Sequence, residues 1–201
     1  LNKKILKPIA LITGSTRGIG KSIAEMLEKK GYIVITSGRK KLNKKNYIQA
    51  DLSNNRGVEK VVNYINSNFN YLTFLINNAA YTKYIAPRDY KKLTDLIYKK
   101  IFYVNLTVPY KLAIKLEKKL LKSKKIINFD PHIINIASVA GITGLGSNTA
   151  YSASKGALIT LTKTLARSMA PIRVNSISPG LIKTKFVKFP NSYYRDMAKK
   201  T

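Results

Sequence analysis

Tyr151 and Lys155 form a pair whose spacing suits proton transfer. They stand four residues apart in a segment with helical character, so both side chains project from one face of a helix. A nearby ammonium group favours phenolate over phenol, and Lys155 is therefore expected to lower the pKa of Tyr151 toward a value useful for acid–base catalysis. A Lys-rich helix also produces this spacing by chance, so the placement of the pair decides between the two interpretations.

Ser138 provides that placement. It follows residues 133–137, an apolar run that reads as a buried strand, and ligands of doubly wound sheets bind at the carboxyl ends of the strands. A hydroxyl at this edge would hold a substrate carbonyl while Tyr151 gives or takes the proton. The three side chains together indicate chemistry on a carbonyl or an alcohol.

A glycine-rich turn follows the first apolar run, residues 9–13. Its sequence, from position 14, is Gly14-Ser15-Thr16-Arg17-Gly18-Ile19-Gly20. Glycines let the backbone turn sharply and approach a pyrophosphate, while the start of the next helix offers unpaired N–H donors. The turn could serve only as a compact connection between strand and helix, but its context favours a dinucleotide site.

The end of the second predicted strand indicates which dinucleotide would bind. The segment Ser37-Gly38-Arg39-Lys40 has no acid where a carboxylate would accept hydrogen bonds from the ribose 2′-hydroxyl of NAD. We interpret Arg39 as the main ligand of a 2′-phosphate, with Arg17 and Lys40 as helpers. The alternative is a solvated charge in a Lys-rich chain. The predicted cofactor is NADP (NADPH), and NAD is the less favoured choice.

Apolar runs alternate with helical patterns along the whole chain, which predicts a Rossmann-like doubly wound parallel sheet with helices on both faces. We predict a single domain over residues 1–201. The predicted strands are 9–13, 32–36, 47–50, 72–76, 133–137 and 172–177. The predicted helices are the first from about residue 19 to Gly31, then 58–65, 89–102, 106–121 and 149–169.

Composition excludes several classes of function. The chain of 201 residues has no Cys and one His, so we expect no metal site and no thiolate chemistry. It has no apolar run of membrane-spanning length and no secretory signal pattern, so we expect no membrane span and a cytoplasmic or organellar-matrix location.

The net charge of the chain is +28, from 37 basic and 9 acidic residues. Only 7 of the basic residues are Arg, and Lys, Asn, Ile and Tyr are all abundant. We therefore attribute the charge to an AT-rich codon bias rather than to nucleic-acid binding, with a selected polyanion interaction as the alternative. The densest basic cluster, within residues 111–125, is interpreted as one solvated helix face with its following loop.

In motif order the sequence resembles the short-chain dehydrogenase/reductase family from residue 9 to about residue 184. Besides the glycine turn, the matching elements are Asp51-Leu52, the Asn77-Asn78-Ala79-Ala80 segment, the Asn105, Ser138, Tyr151 and Lys155 tetrad, the segment from Ile172 to Pro179-Gly180, and Thr184.

The resemblance implies hydride transfer between a nicotinamide and a carbonyl carbon. It assigns Tyr151 as general acid or base, Lys155 as the residue that holds the nicotinamide ribose, Ser138 as the group that polarises the carbonyl, and Asn105 as the residue that positions a water of the proton relay. The cofactor-binding residues that it implies, together with the glycine turn (residues 14–20) and Arg39, are Asp51, Leu52, Asn78, Ala79, Tyr151, Lys155, Pro179, Gly180, Ile182 and Thr184.

The sequence departs from the family pattern at three places. Ala80 replaces a usual Gly and adds a methyl group near the cofactor. Residues 38–46 are too few for a crossover with a full helix, so a loop is expected there. Only 21 residues follow Gly180, so we expect the family's seventh strand to be lacking, and residues 186–201 are expected to be a mobile remnant of its lid.

Two classes of function follow. The first is an NADPH-dependent carbonyl reductase, of which a 3-oxoacyl-carrier-protein reductase is the leading case and a pteridine-reductase-like enzyme the other. Its partners would be a small carbonyl substrate or an acyl carrier protein, and a homo-oligomer (dimer or tetramer) through helices 106–121 and 149–169 is expected. The second is a non-catalytic nucleotide-binding or structural subunit, which the short C-terminus favours.

Overall fold

A parallel sheet of six strands forms the centre of the molecule. The computed structural model describes residues 6–182, 184 and 186. In these residues the strands are β1 (Ile9–Ile12), β2 (Ile33–Gly38), β3 (Tyr47–Gln49), β4 (Phe74–Asn77), β5 (His132–Ile136) and β6 (Arg173–Ile177). Their order in the sheet is β3-β2-β1-β4-β5-β6, and every neighbouring pair is parallel. The predicted doubly wound architecture is confirmed, with its switch point between β1 and β4.

Helices pack on both faces of this sheet. They are α1 (Gly18–Lys29), α2 (Asn55–Asn68), α3 (Asp95–Phe102), α4 (Val108–Ile127), α5 (Ala140–Thr143) and α6 (Thr149–Ser168). A 3₁₀ segment (Pro87–Lys92) precedes α3, and a π-helical segment (Tyr103–Thr107) joins α3 to α4. The sequence did not predict α5, the 3₁₀ geometry or the π-helical segment.

Two apolar clusters form the core, one on each face of the sheet. Successive residues of β1 point to opposite faces, so Leu11 belongs to the larger cluster and Ile12 to the smaller. The larger cluster includes Val61 of α2, Leu112 of α4 and Leu165 of α6, whereas Ala24 of α1 belongs to the smaller. Every residue of β1 is buried, as the uninterrupted apolar run predicts.

The predicted helix 89–102 is wrong as one element. The chain leaves helical geometry at Leu93, and Thr94 begins a new helix by accepting a hydrogen bond from the Ile97 N–H. Thr and Ser compete for backbone donors in this way, so a Thr within a helical pattern marks a boundary as readily as it continues a helix.

The basic cluster of residues 111–125 lies largely exposed on a helix, as predicted, but the loop predicted to follow within it is wrong. The helix α4 continues to Ile127 and contains the whole cluster. The Lys111 amine donates to Asn55 Oδ1 at 2.9 Å, Lys115 pairs with Glu59 at 3.0 Å, and Lys119 donates to the Asn66 carbonyl at 3.1 Å. These lysines tie α4 to α2, because the apolar stems of lysines cover the helix contact while their amines reach polar groups at its rim.

The short connection between β2 and β3 is confirmed, since residues 39–46 contain no helix. The expectations about a missing seventh strand and a lid concern residues after Gly180, and residues 187–201 lie outside the described residues. In the part of the chain that the structure describes, no helix combines the length and the apolar character needed to span a membrane.

Candidate active site

Four connecting segments meet at the carboxyl edge of the sheet. They follow β1, β4, β5 and β6, and backbone hydrogen bonds hold them together. The Thr13 N–H donates to the Ile76 carbonyl at 3.0 Å, the Ala137 N–H donates to Ile177 at 2.7 Å, and the Val139 N–H donates to Pro179 at 3.1 Å. This edge at the switch point contains the cleft in which doubly wound folds bind ligands.

The glycine turn after β1 needs glycine for two physical reasons. Gly14 and Gly18 have φ of +63° and +56°, a region that side chains with a Cβ rarely adopt. A Cβ on Gly14 would also lie 2.8 Å from the Cα of Ala79, which follows β4. The turn therefore passes directly against the segment after β4, and the two line the same cleft.

Asn78 holds this turn in place. Its amide Nδ2 donates to the carbonyls of Thr13 and Gly14 at 2.9 and 3.0 Å, and its backbone N–H donates to the Thr13 hydroxyl at 3.0 Å. The Ala79 N–H donates to the same hydroxyl at 3.0 Å. A Cβ on Gly20 would lie 2.3 Å from the Asn78 amide nitrogen. The side chain of Asn78 is thus engaged with the protein, and it fixes the shape of the turn.

Helix α1 begins in the cleft with open donors. Arg17 precedes its first residue, no side chain of the described residues caps it, and its first turn carries no acid. Thr16 and Arg17 are exposed and Ile19 is half-buried. Unpaired N–H groups and the positive end of the helix dipole favour an anion at this point.

Ser15 bonds to the protein, although its place in the glycine turn suggests a contact with the cofactor. Its hydroxyl donates to the Ile12 carbonyl at 2.8 Å and accepts from the Ser37 N–H at 3.1 Å, and its own N–H donates to the Ser37 carbonyl at 3.0 Å. These bonds tie the turn to the end of β2. The hydrogens of Ser15 therefore point into the protein and not into the cleft.

Arg39 and Asp51 follow β2 and β3 and are both exposed, while Leu52 is buried. Partial burial acts to raise the pKa of the Asp51 carboxyl, but hydrogen bonds from Ser53 and the positive charges of Arg39 and Lys100 outweigh it, so this pKa lies below its usual value. The Asp51 carboxylate thus remains ionised at neutral pH, near the positive charges of Arg39 after β2 and Lys100 of α3.

Tyr151 and Ser138 meet at the cleft. The Ser138 hydroxyl lies close enough to the Tyr151 hydroxyl to lower its pKa, and Ser138 Oγ accepts the Ala140 N–H at 3.1 Å. Asn148 caps α6 by accepting the Tyr151 N–H at 2.8 Å, and its amide donates to the Lys83 carbonyl at 2.7 Å. Asn148 was missed by sequence reasoning, although an Asn three residues before the Tyr is a recognisable cap.

Lys155 lies beneath Tyr151 and is almost completely buried. Its amine donates to the Ile136 carbonyl at 2.6 Å and lies 5.9 Å from the Tyr151 ring centroid. Burial lowers the pKa of Lys155 to about 8.

The expected effect of Lys155 on Tyr151 is not seen in this structure. Burial raises the pKa of the Tyr151 hydroxyl, and the hydrogen bond with Ser138 only partly opposes this effect. The reason is geometric: the amine of Lys155 is directed to the backbone of β5, and both groups are desolvated.

Asn105 is buried within the π-helical segment. Its Oδ1 accepts the Tyr81 N–H at 2.8 Å, and its Nδ2 donates to the Tyr81 carbonyl at 3.1 Å and to Ser154 Oγ at 3.0 Å. The extra residue of a π turn interrupts the regular helical ladder, and such turns recur at functional sites. Asn105 thereby joins the segment after β4 to α6, a contact that sequence spacing could not predict.

The segment after β6 returns to the cleft. Pro179 is half-buried, Gly180 and Ile182 are exposed, and the Thr184 side chain faces Gly18, where a Cβ would lie 3.4 Å from Thr184 Cγ2. The ring of Phe186 lies 6.3 Å from that of Tyr151. The segment after β6, the glycine turn and the start of α6 therefore border the same cleft.

In residues 6–182, 184 and 186, no group of three His, Cys, Asp or Glu side chains is arranged to hold a metal ion.

Comparisons with known proteins agree with this geometry. A family model described as short chain dehydrogenase matches residues 8–194, a range that includes every candidate residue from Gly14 to Thr184. The chain is 34% identical over 188 residues to the 3-oxoacyl-acyl-carrier-protein reductase of Haemophilus influenzae, covering 88% of this chain and 74% of that protein. It is 30% identical over 197 residues to the enzyme of the same name from Aquifex aeolicus, covering 90% and 76%. Among solved structures, 4-hydroxyisoleucine dehydrogenase complexed with NADH superposes with a TM-score of 0.81 at 33% identity, covering 96% of this chain and 81% of that one.

Proposed function

The chain belongs to the short-chain dehydrogenase/reductase family of oxidoreductases, and on this premise we propose that it is an NADPH-dependent carbonyl reductase. The observation that carries the proposal is a group of three side chains: the Tyr151 hydroxyl, the Ser138 hydroxyl that lowers its pKa, and the buried Lys155 amine, 5.9 Å from the Tyr151 ring centroid. This group borders the cleft that the glycine turn also lines. A phenol that can donate a proton and a hydroxyl that can bind a carbonyl oxygen therefore lie near the glycine turn.

The residues present fit a dinucleotide. The glycine turn brings backbone close to the cleft without side chains in the way, and the uncapped start of α1 offers donors for a pyrophosphate. Gly14 to Gly20, Asn78 and Ala79 would shape this part of the site, and Thr184 and Pro179 would border the nicotinamide end. When bound, a nicotinamide cofactor supplies the hydride.

The chain's own residues would manage the proton. Ser138 donates a hydrogen bond to the substrate oxygen, and Tyr151 transfers its phenolic proton to that oxygen as the carbonyl becomes an alcohol. In the oxidation direction Tyr151 takes the proton back. Lys155 would hold the nicotinamide ribose when the cofactor is bound; in the free chain its amine donates to the Ile136 carbonyl and lies 5.9 Å from the Tyr151 ring centroid.

Asn105 is proposed to be a positioning residue. Its side-chain amide is engaged with Tyr81 and Ser154, so it fixes the cleft wall against α6. The relay water implied by the family pattern would bind beside this junction.

We propose NADP rather than NAD because Arg39 stands at the end of β2 with an exposed guanidinium. Replacing Arg39 by Ala should weaken NADPH binding by about 10- to 100-fold, since hydrogen bonds to charged groups contribute about 1.5–3 kcal/mol. NADH binding should stay within about twofold. Nicotinamide fluorescence titration measures both constants.

Lys41→Ala is the matched control for this test, because Lys41 is an exposed cation on the same loop to which no cofactor contact is assigned. Equal loss of NADPH affinity in both variants would mean that Arg39 acts only through its positive charge and makes no specific contact with the 2′-phosphate. Tighter NADH than NADPH binding by the unaltered chain would contradict the assignment and would match the cofactor of 4-hydroxyisoleucine dehydrogenase complexed with NADH.

The substrate that we propose is a 3-oxoacyl thioester carried on an acyl carrier protein. The support is the identity of 34% and 30% to reductases with that name. The proposed compartment is the cytoplasm or an organelle matrix, where such carriers would be met. The experiment is a turnover assay with purified chain, NADPH and a 3-oxoacyl thioester, followed by nicotinamide absorbance. Cofactor binding without turnover of this or other carbonyl substrates would favour the non-catalytic alternative.

We further propose that two or four copies associate through α4 and α6. Tyr110 and Ile114 stand one turn apart on α4 and are 47% and 44% exposed, which leaves an apolar strip on its surface. Light scattering at micromolar concentration should give the mass of a dimer or tetramer, and Ile114→Glu should reduce it to a monomer. Ile126→Glu, which places the same charge elsewhere on α4, should leave the mass unchanged; a monomeric unaltered chain would contradict the assembly.

A further inference from the structure

The outer edge of β3 borders a groove that the proposed reaction does not use. β3 is the last strand at its end of the sheet, and the groove of about 430 Å³ lies between it and one face of α2. Lys60, Tyr64 and Ser67 line the helix side at helical spacing. A groove between a sheet edge and a helix is the geometry in which several peptide-binding domains accept an added strand.

The connection between β2 and β3 leaves this groove open. Residues 39–46 contain no helix, and they lie against the other side of β3. The Tyr47 hydroxyl donates to the Lys40 carbonyl, and Gln49 Nε2 donates to the Arg39 carbonyl at 3.2 Å. Ile48 points the opposite way and is buried in the core. The loop is thus held away from the edge that faces the groove.

The backbone of β3 offers hydrogen-bonding groups to the groove. The Thr36 N–H donates to the Asn46 carbonyl and the Ala50 N–H donates to the Gly38 carbonyl, so the even-numbered residues of this stretch face β2. Because backbone groups alternate in direction along a strand, the N–H and C=O groups of Tyr47 and Gln49 point away from β2. Among the described residues no strand lies on that side.

The charge around this edge is positive. Lys60 stands on the groove wall, and Lys40, Lys41 and Lys45 are exposed on the loop before β3. No acid is among the groove residues. Glu28 and Glu59 are paired with Lys44 at 2.9 Å and with Lys115 at 3.0 Å, and the exposed Asp51 carboxylate after β3 lies near the positive charges of Arg39 and Lys100. A second copy of this chain would bring like charges to the edge, whereas an acidic segment would be attracted to it.

We propose that the groove between β3 and α2 binds an extended acidic peptide segment of a partner protein, which pairs with Tyr47 and Gln49 as an additional strand. The backbone bonds supply affinity that does not depend on sequence, and Lys60 on the groove wall selects acidic side chains. The site is separate from the cleft, so its test does not depend on the reductase assignment.

The probe is a fluorescein-labelled peptide of about nine residues in which Glu alternates with Val, a length and pattern suited to one strand. Fluorescence anisotropy with the full chain should show saturable binding that weakens as salt is raised. Gln49→Pro should weaken binding at least about tenfold, because it removes an outward N–H without breaking a bond to β2. Gln49→Ala controls for the lost side-chain bond and should bind within about twofold of the unaltered chain. Lys60→Glu should weaken binding at least about fivefold.

Several results would overturn the proposal. These are the absence of saturable binding up to about 1 mM peptide, equal binding by Gln49→Pro and Gln49→Ala, or equal binding of a peptide with Lys in place of Glu. Self-association that Gln49→Pro abolishes would assign the edge to a second copy of the chain instead. Thermal unfolding of each variant establishes that a loss of binding does not reflect a loss of fold.

Discussion

Replacing Tyr151 by Phe is expected to lower kcat for carbonyl reduction by about 10²- to 10⁴-fold, the range that general acid catalysis contributes. The change removes one oxygen from a ring whose hydroxyl meets Ser138 and whose backbone is fixed by the Asn148 cap. Neither the ring nor the helix start should move. NADPH affinity should therefore stay within about twofold, because the glycine turn and Arg39 are untouched.

Tyr103→Phe is a matched control for this variant. The Tyr103 hydroxyl is buried and has no hydrogen-bond partner in the described residues, so removing it should leave kcat unchanged. Steady-state kinetics with NADPH and a 3-oxoacyl thioester measure both variants. If the Tyr151→Phe protein retains more than about a tenth of the activity, a group other than Tyr151 donates the proton.

The pH profile provides a second readout of the same group. Burial holds the pKa of the Tyr151 hydroxyl above its ordinary value, so in the free chain the phenol stays protonated through neutral pH. Reduction, which needs the phenol, should not lose activity through this group until the pH exceeds about 10. Alcohol oxidation, which needs the phenolate, should rise with pH over the same range. The raised pKa of Tyr151 would be contradicted if the rate of carbonyl reduction fell near pH 7 and Tyr151→Phe abolished that fall.

The fold followed from patterns that depend on few residues at a time. Uninterrupted apolar runs such as Ile9–Ile12 predicted buried parallel strands, and the structure buries every residue of that strand. The connection between β2 and β3 was too short for a full helix, and residues 39–46 contain none. Glycines at positions 14 and 18 predicted a tight turn, and both have positive φ.

The details that were missed depend on contacts between distant residues. The π-helical segment around Asn105 exists where its amide reaches Tyr81 and Ser154, which lie 24 and 49 residues away in sequence. Likewise, spacing placed Lys155 and Tyr151 on one helix face, but only the packing of α6 on β5 decides that the amine bonds to Ile136. Sequence spacing therefore predicted that Tyr151 and Lys155 share α6, and not which groups their side chains contact.

Lys155 is the residue whose removal should separate stability from activity most clearly. Its amine is almost fully buried, its one hydrogen-bond partner among the described residues is the carbonyl of Ile136, and burial lowers its pKa to about 8 from 10.5. A lowered folded-state pKa of a lysine means that the charged form destabilises the fold, here by roughly 3 kcal/mol at 1.36 kcal/mol per pKa unit. Replacing it by Met removes that cost but leaves the Ile136 carbonyl without a donor, a loss of about 1 kcal/mol.

The sign of the effect then depends on pH. Below pH 8 the native lysine is charged, so Lys155→Met should raise the free energy of unfolding by about 2 kcal/mol while abolishing ribose binding and reduction. Between pH 8 and 10.5 the folded chain loses this proton while the unfolded chain keeps it, so the stability of the unaltered protein rises and the advantage of Met disappears. Urea unfolding at pH 7 and pH 10 measures the difference, and Lys163→Met, at an exposed lysine two turns along α6, is the control. A variant that is less stable than the unaltered chain at pH 7 would mean that the buried ammonium is satisfied by more than Ile136, and that its charge stabilises the fold as well as the proposed reaction.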